Sequence, residues 1–191
     1  MAGTNEIVIK IATVNGTGSA SANSLLRKAI FRMGVPVVGK NYFPSNIQGL
    51  PTWYEIRVSE AGHMARRDGI DVMVAMNPQT YTQDAAEVVA GGTIIYDSTW
   101  PRDFGRSDVT QIGVPIARLC AEAWVDPRQR QLLKNIVYVG ALAWLIEIDM
   151  VIIEKLIAEP FLIKPLLVHF LLLGQILANF KPQFQHGFDF A

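Results

Sequence analysis

Residues 6–14 (EIVIKIATV) are apolar almost throughout, without the alternation of a half-wet strand, which predicts a β-strand buried on both faces. The run breaks at Asn15-Gly16-Thr17-Gly18-Ser19, and over 21–33 the spacing becomes helical. Leu25, Leu26, Ala29, Ile30 and Met33 share one side, while Arg27, Lys28 and Arg32 mark the wet one. Ser19 or Ser21 is expected to cap this helix and Gly34 to close it. A short strand follows at 35–38, then a long loop over 39–51 in which Pro44, Gly49 and Pro51 block regular structure. Residues 53–59 alternate, with Tyr54, Ile56 and Val58 on one side, and 71–76 (DVMVAM) form a further core strand ending at Asn77-Pro78. A helix is expected over 80–90, stopped by Gly91-Gly92, with strands at 93–96 and 112–116 on either side of a loop at 98–108.

Beyond Asp126 the pattern is helical. Asp126-Pro127 is an N-cap followed by a proline at the first helical position. The helix at 128–148 is apolar nearly all round between 136 and 145, so it should be a central packing element. A second helix, 150–159, starts after Asp149 and ends at Pro160. Strands and helices alternating in this way predict an α/β class fold: doubly wound, with a largely parallel, Rossmann-like sheet and a C-terminal helical segment. Ligands of such sheets bind at the carboxyl ends of strands, and two loops qualify, 15–19 and 39–51.

Composition narrows the partners. The 191 residues are half apolar and 18% charged, with Lys+Arg and Asp+Glu equal at 17 each. A formal net charge of zero argues against nucleic-acid binding, which calls for a basic excess. A neutral, apolar-rich domain is poorly protected against association, so much of its surface is expected to be covered by partner protein. The apolar stretch 161–180 (FLIKPLLVHFLLLGQILANF) is interrupted by Lys164, Pro165, His169, Gly174 and Gln175. A membrane span needs about 20 consecutive apolar residues, so a buried interface helix is the better reading. The lone Cys120 makes neither an internal disulfide nor a cysteine-based metal or cluster site. His63, His169 and His186 show no metal-ligand spacing, and no metal site is expected. With no apolar leader at the start, the chain reads as cytoplasmic.

The first loop, NGTGSAS, sets two glycines and three hydroxyl residues at a strand-to-helix turn. Glycines let backbone approach a ligand, and the helix N-terminus favours an anion. It is not the dinucleotide fingerprint, because position 21 is Ser, and the acidic residue expected about 20 residues beyond is missing. Both an anion-contacting turn and a plain tight turn remain open readings.

The second loop is more specific. Tyr42-Phe43-Pro44-Ser45-Asn46-Ile47-Gln48-Gly49, then Tyr54-Glu55-Ile56-Arg57-Val58-Ser59, resembles the signature of the gamma domain of 2-oxoacid:acceptor oxidoreductases, which include the pyruvate- and 2-oxoglutarate:ferredoxin enzymes. Asp71-Val72-Met73-Val74-Ala75-Met76-Asn77, Gly92-Thr93-Ile94-Ile95-Tyr96-Asp97-Ser98 and Gly140-Ala141-Leu142 continue the likeness over 6–159. The form it resembles is fused at the N-terminus of the large (alpha) subunit, where NGTGSASAN replaces a glycine-richer turn. Two domains are therefore expected: 1–159 as the gamma domain, and 160–191 as an apolar helical tail and linker toward a further domain.

The resemblance implies coenzyme-A-dependent oxidative decarboxylation of a 2-oxoacid, with electrons passed to ferredoxin. Thiamine diphosphate, magnesium and 4Fe-4S clusters would sit on partner domains or subunits, and this chain alone would bind no cofactor, sharing coenzyme A as a ligand. The implied rim residues are Ser45, Asn46, Gln48 and Gly49, with Gly16, Thr17 and Gly18 beside them, and Lys40 and Arg57 as candidate phosphate contacts. No catalytic residue is expected. Partners would be the alpha domain and the thiamine-binding beta subunit in a hetero-oligomer, with ferredoxin reached indirectly. The alternative from a different class is a non-catalytic module that holds oxidoreductase subunits together.

Overall fold

In the computed structural model, which describes residues 6–43 and 47–158, the apolar run near the start becomes β1 (Ile7–Val14). Next in chain order come α1 (Ser19–Arg32), β2 (Val37–Tyr42), β3 (Pro51–Val58), β4 (Ile70–Ala75), α2 (Tyr81–Glu87) and β5 (Val88–Asp97). Then follow β6 (Thr110–Val114), α3 (Ile116–Ala123), α4 (Pro127–Leu145) and α5 (Met150–Ala158). The six strands form one sheet in the order β2-β3-β1-β4-β5-β6. β1, β4, β5 and β6 pair in parallel, while β3 runs antiparallel to both β1 and β2. The largely parallel α/β sheet expected from the sequence is present, with β3 as the reversed strand.

β1 is apolar on both sides because both faces of the sheet are covered. Ile7, Ile9 and Ile11 join the larger core, with Leu25, Leu26 and Ile30 of α1, Ile56 and Val58 of β3, and residues of α3, α4 and α5. Val8 and Ala12 face a smaller core with Met73, Ile94 and Ala85 of α2. Tyr54, Ile56 and Val58 share the larger-core side, as the alternation predicts. α4 is buried nearly all round from Leu133 onward, and Tyr138 at its centre is fully buried. Its start follows the expected cap: the Asp126 side chain accepts from the Arg128 N–H at 3.0 Å, with proline in the first turn.

Four expectations need correction. Gly39–Tyr42 is strand rather than loop, because β2 pairs with β3 as far as Tyr42 opposite Trp53 and so supplies partners to poor strand formers. The helix expected to reach 90 ends at Glu87, and Val88–Gly92 belong to β5, which pairs with β4. Neither Ser19 nor Ser21 caps α1: Gly18 holds the N-cap position in the left-handed region, and the Ser19 hydroxyl instead accepts from Thr13 Oγ1 at 2.9 Å. Helix α3 was not foreseen. It begins after Pro115, and the Asp97 carboxylate accepts from its Ala117 N–H at 3.1 Å.

No helix among the described residues is long and apolar enough to cross a membrane. The tail 160–191 lies outside the described residues.

Candidate functional site at the carboxyl edge of the sheet

β1 ends in a turn that only glycine accepts without strain, because Gly16 and Gly18 adopt φ values of 86° and 79°. Backbone hydrogen bonds fasten this turn to the segment between β2 and β3. The Asn15 N–H donates to the Leu50 carbonyl at 2.8 Å, and the Gly49 N–H donates to the Asn15 carbonyl at 3.0 Å. The Asn15 side chain adds a bond to the Ile47 carbonyl at 3.1 Å. Gln48 lies directly over Gly16, where an added Cβ would meet Gln48 Cγ at 2.5 Å. The two loops thus form one rim.

α4 holds the turn from the other side. Asn135 Nδ2 donates to the Thr17 carbonyl at 2.7 Å, and Leu132 packs so close to Gly18 that a Cβ there would lie 2.8 Å from Leu132 Cδ2. One turn further on, Tyr138 Oη donates to Asn23 Oδ1 at 2.8 Å, tying α4 to α1 inside the core. Between the turn and the ends of β4 and β5 lies a cavity of about 330 Å³. Thr13, Val14 and Thr17 line it from the β1 side, Met76 and Pro78 from the β4 end, and Tyr81, Asp97, Trp100 and, from α4, Gln131, Lys134 and Asn135 complete the wall. The chain leaves β1 toward β2 and β3 on one side, while β4, β5 and β6 extend on the other. The cavity therefore occupies the topological switch point, where open α/β sheets hold their ligands.

One acidic and one basic side chain, Asp97 and Lys134, line the cavity. Burial pushes the Tyr81 hydroxyl above its ordinary value, against the opposing hydrogen bond and charge of Arg102, so Tyr81 stays protonated. Asp97 is buried but satisfied, accepting from the Thr99 N–H at 3.0 Å and hydroxyl at 2.6 Å as well as from Ala117. Lys134 is half-buried with no ion-pair or hydrogen-bond partner among the described residues.

Of the residues singled out in the sequence, Gly16, Thr17, Gly18, Gln48 and Gly49 come together at the rim. Ser45 and Asn46 lie outside the described residues. Lys40 and Arg57 do not join this group. Lys40 is exposed on β2, pairs in register with Glu55, and holds its ammonium 5.0 Å from the Tyr42 ring. Arg57 pairs with Val8 near the opposite end of β1, and its guanidinium lies 3.4 Å from Glu6. Lys134, Asn135 and Trp100 are site residues that sequence reasoning missed, since nothing local distinguishes them. Cys120 is buried in α3, where desolvation pushes its thiol up to about 11. Among the described residues no three His, Cys, Asp or Glu side chains are grouped to hold a metal.

Fold and crevice define an α/β domain with one cavity at its switch point. Residues 8–167 match the family described as pyruvate ferredoxin/flavodoxin oxidoreductase, and the chain belongs to that family. It is 26% identical over 92 residues to subunit alpha of 2-oxoacid:ferredoxin oxidoreductase 2 from Aeropyrum pernix, a match spanning 48% of this chain and 14% of that subunit. Its fold is that of 2-oxoglutarate:ferredoxin oxidoreductase from Magnetococcus marinus, solved with 2-oxoglutarate, coenzyme A and succinyl-CoA bound (TM-score 0.79, 22% identity, 95% of this chain, 32% of that one). The keto/oxoacid ferredoxin oxidoreductase gamma subunit from Geobacter sulfurreducens is similar over nearly its whole length (TM-score 0.70, 16% identity, 93% and 99% covered). A pyruvate oxidoreductase subunit from Thermotoga maritima gives a TM-score of 0.67 at 18% identity, with 93% and 96% covered. In extent the chain spans nearly all of the Geobacter gamma subunit, about a third of the Magnetococcus chain, and, in the matched region, 14% of the Aeropyrum subunit.

Proposed function

We propose that this chain is the gamma component of a 2-oxoacid:ferredoxin oxidoreductase, where it helps to bind coenzyme A and to close the active site. One observation carries the reading: the two loops of interest are hydrogen-bonded into a single rim around Asn15, beside the switch-point cavity. Membership of the family supports it, as does the shared fold with a solved relative described with coenzyme A bound.

The chemistry is the oxidative decarboxylation of a 2-oxoacid. Thiamine diphosphate, held with magnesium by a partner, supplies the electron sink, and 4Fe-4S clusters on partner chains carry electrons to ferredoxin. The described residues of this chain do not suit a cluster, since Cys120 is buried and held as the thiol. Its own work is binding. The N–H groups in the first turn of α1 receive no side-chain cap and are free for phosphate. Gln48 and the Gly49 backbone border the mouth. Ile47 and Leu50, both exposed, provide apolar cover that excludes water once partners close. The chain works in the cytoplasm, in a hetero-oligomer with the alpha domain and the thiamine-binding beta subunit.

The test is reconstitution. The isolated chain should oxidise no 2-oxoacid, and adding it to the remaining domains should restore coenzyme-A-dependent turnover. Equal turnover without it would end the proposal. Exposed Phe43, Ile47, Trp100 and Leu132 around the same end of the molecule favour a second reading, an assembly module that binds nothing small. Titration calorimetry of the complex with coenzyme A separates the two: unchanged affinity after Asn46→Ala plus Gln48→Ala supports assembly.

A further inference from the structure

We infer that Lys134 is a specificity-determining residue, holding a phosphate of the nucleotide end of coenzyme A in the switch-point crevice. The inference rests on the coenzyme A reading above and adds to it the residue and the part of the ligand.

The crevice has the composition of a site for an aromatic anion. Its volume, about 330 Å³, is at the lower end of the range of about 300–1,000 Å³ for small-molecule sites. That suits a nucleotide fragment rather than the whole coenzyme, whose pantetheine arm must leave by the mouth. Trp100, 53% exposed, and Tyr81 offer aromatic surface for a base, with Met76 and Pro78 beside them. Lys134 reaches the same space from α4, one residue before Asn135, whose side chain holds the Thr17 carbonyl.

Charge points the same way. Lys10, the other lysine withdrawn from water among the described residues, is paired with Glu87. Lys134 is half-buried and has no such partner among the described residues. The acid that shares the crevice, Asp97, is already committed to three donors from Thr99 and Ala117. A cation partly removed from water with no ion-pair partner of its own is open to an anion, and a phosphate supplies one. The uncapped first turn of α1, a helix of 14 residues, lies on the same side through Thr17 and adds to the pull on that anion.

The experiment uses the assembled oxidoreductase with wild-type chain, Lys134→Ala and Lys134→Arg. Three ligands are compared: coenzyme A, adenosine 3′,5′-bisphosphate as a competitor carrying only the nucleotide end, and pantetheine as an acceptor lacking it. Lys134→Ala should raise the KM for coenzyme A and the inhibition constant of the bisphosphate by about tenfold or more, the scale of a hydrogen bond to a charged group. The kcat, and turnover with pantetheine, should not move. Lys134→Arg should recover most of the loss. Unchanged KM and inhibition constant in Lys134→Ala would overturn the inference, and so would an equal loss with pantetheine, which would mark general damage to the mouth. If the wild-type enzyme neither depends on coenzyme A nor is inhibited by the bisphosphate, the coenzyme A reading itself has failed. The wild-type arm therefore separates that failure from the failure of Lys134 alone.

Discussion

Asn15 and Gly49 are joined backbone to backbone, the Asn15 carbonyl accepting the Gly49 N–H at 3.0 Å, although one follows β1 and the other precedes β3. Through this contact the position of Gln48 depends on the shape of the turn at Gly16. Both glycines have positive φ, 86° at Gly16 and 92° at Gly49, but their surroundings differ. A Cβ at Gly49 meets nothing within 4 Å, whereas at Gly16 it runs into Gln48. Gly49→Ala should therefore cost backbone strain alone, about 1–2 kcal/mol. Gly16→Ala should cost more and also displace Gln48. Urea denaturation of the two variants measures the difference, and equal losses would show that Gln48 gives way freely.

The pair of links from α4 separates binding from stability. Asn135→Ala removes the donor to the Thr17 carbonyl, so it should lower stability by about 1–3 kcal/mol and weaken coenzyme A binding through a loosened turn. Tyr138→Phe strands the Asn23 carbonyl oxygen in the core at a similar cost, yet it touches no wall of the cavity and should leave coenzyme A affinity as it was. Thermal melts and calorimetry on both variants check the contrast.

Much of the fold was legible because local pattern and tertiary environment agree. β1 reads as doubly buried and is; the Asp126-Pro127 cap reads as a helix start and is. The misses are places where a distant partner decides. Gly39, Lys40 and Asn41 become strand only because β3 lies alongside, and α3 is anchored by Asp97, 20 residues earlier. The candidate site divides the same way. The NGTGS turn and Gln48-Gly49 stood out as segments, but nothing local says that they meet. Asn135 reaches Thr17 across 118 residues, from a helix whose apolar pattern speaks only of packing, and Lys134 was hidden beside it.

Asp84 offers a prediction about pH. It is fully buried, and its carboxyl is raised above the ordinary value, chiefly by desolvation, against hydrogen bonds from Thr80 and Trp53. A raised carboxyl pKa in the fold means stability that is present below the unfolded value and is lost as pH rises through the folded one. Asp84→Asn removes this titration. The stability of Asp84→Asn relative to wild type should therefore grow as pH rises above the ordinary carboxylate value of about 4, as read by urea denaturation at each pH. A constant difference would contradict the assignment.

Cys120 should be silent in the native chain. With its thiol pushed up to about 11 and buried under α4, it should resist iodoacetamide at pH 8 and react fully once urea unfolds the protein. Mass spectrometry of the alkylated peptide counts the modification.

The central claim is that the segment around Gln48 and the turn around Gly16 together border a coenzyme supplied to a partner-built active site. Hydrogen–deuterium exchange on the assembled oxidoreductase, with and without coenzyme A, tests it most directly. The account predicts slowed exchange at the amides of residues 16–20 and 47–50 when the coenzyme is added. Unchanged exchange in both segments, with protection confined to the partner chains, would contradict it.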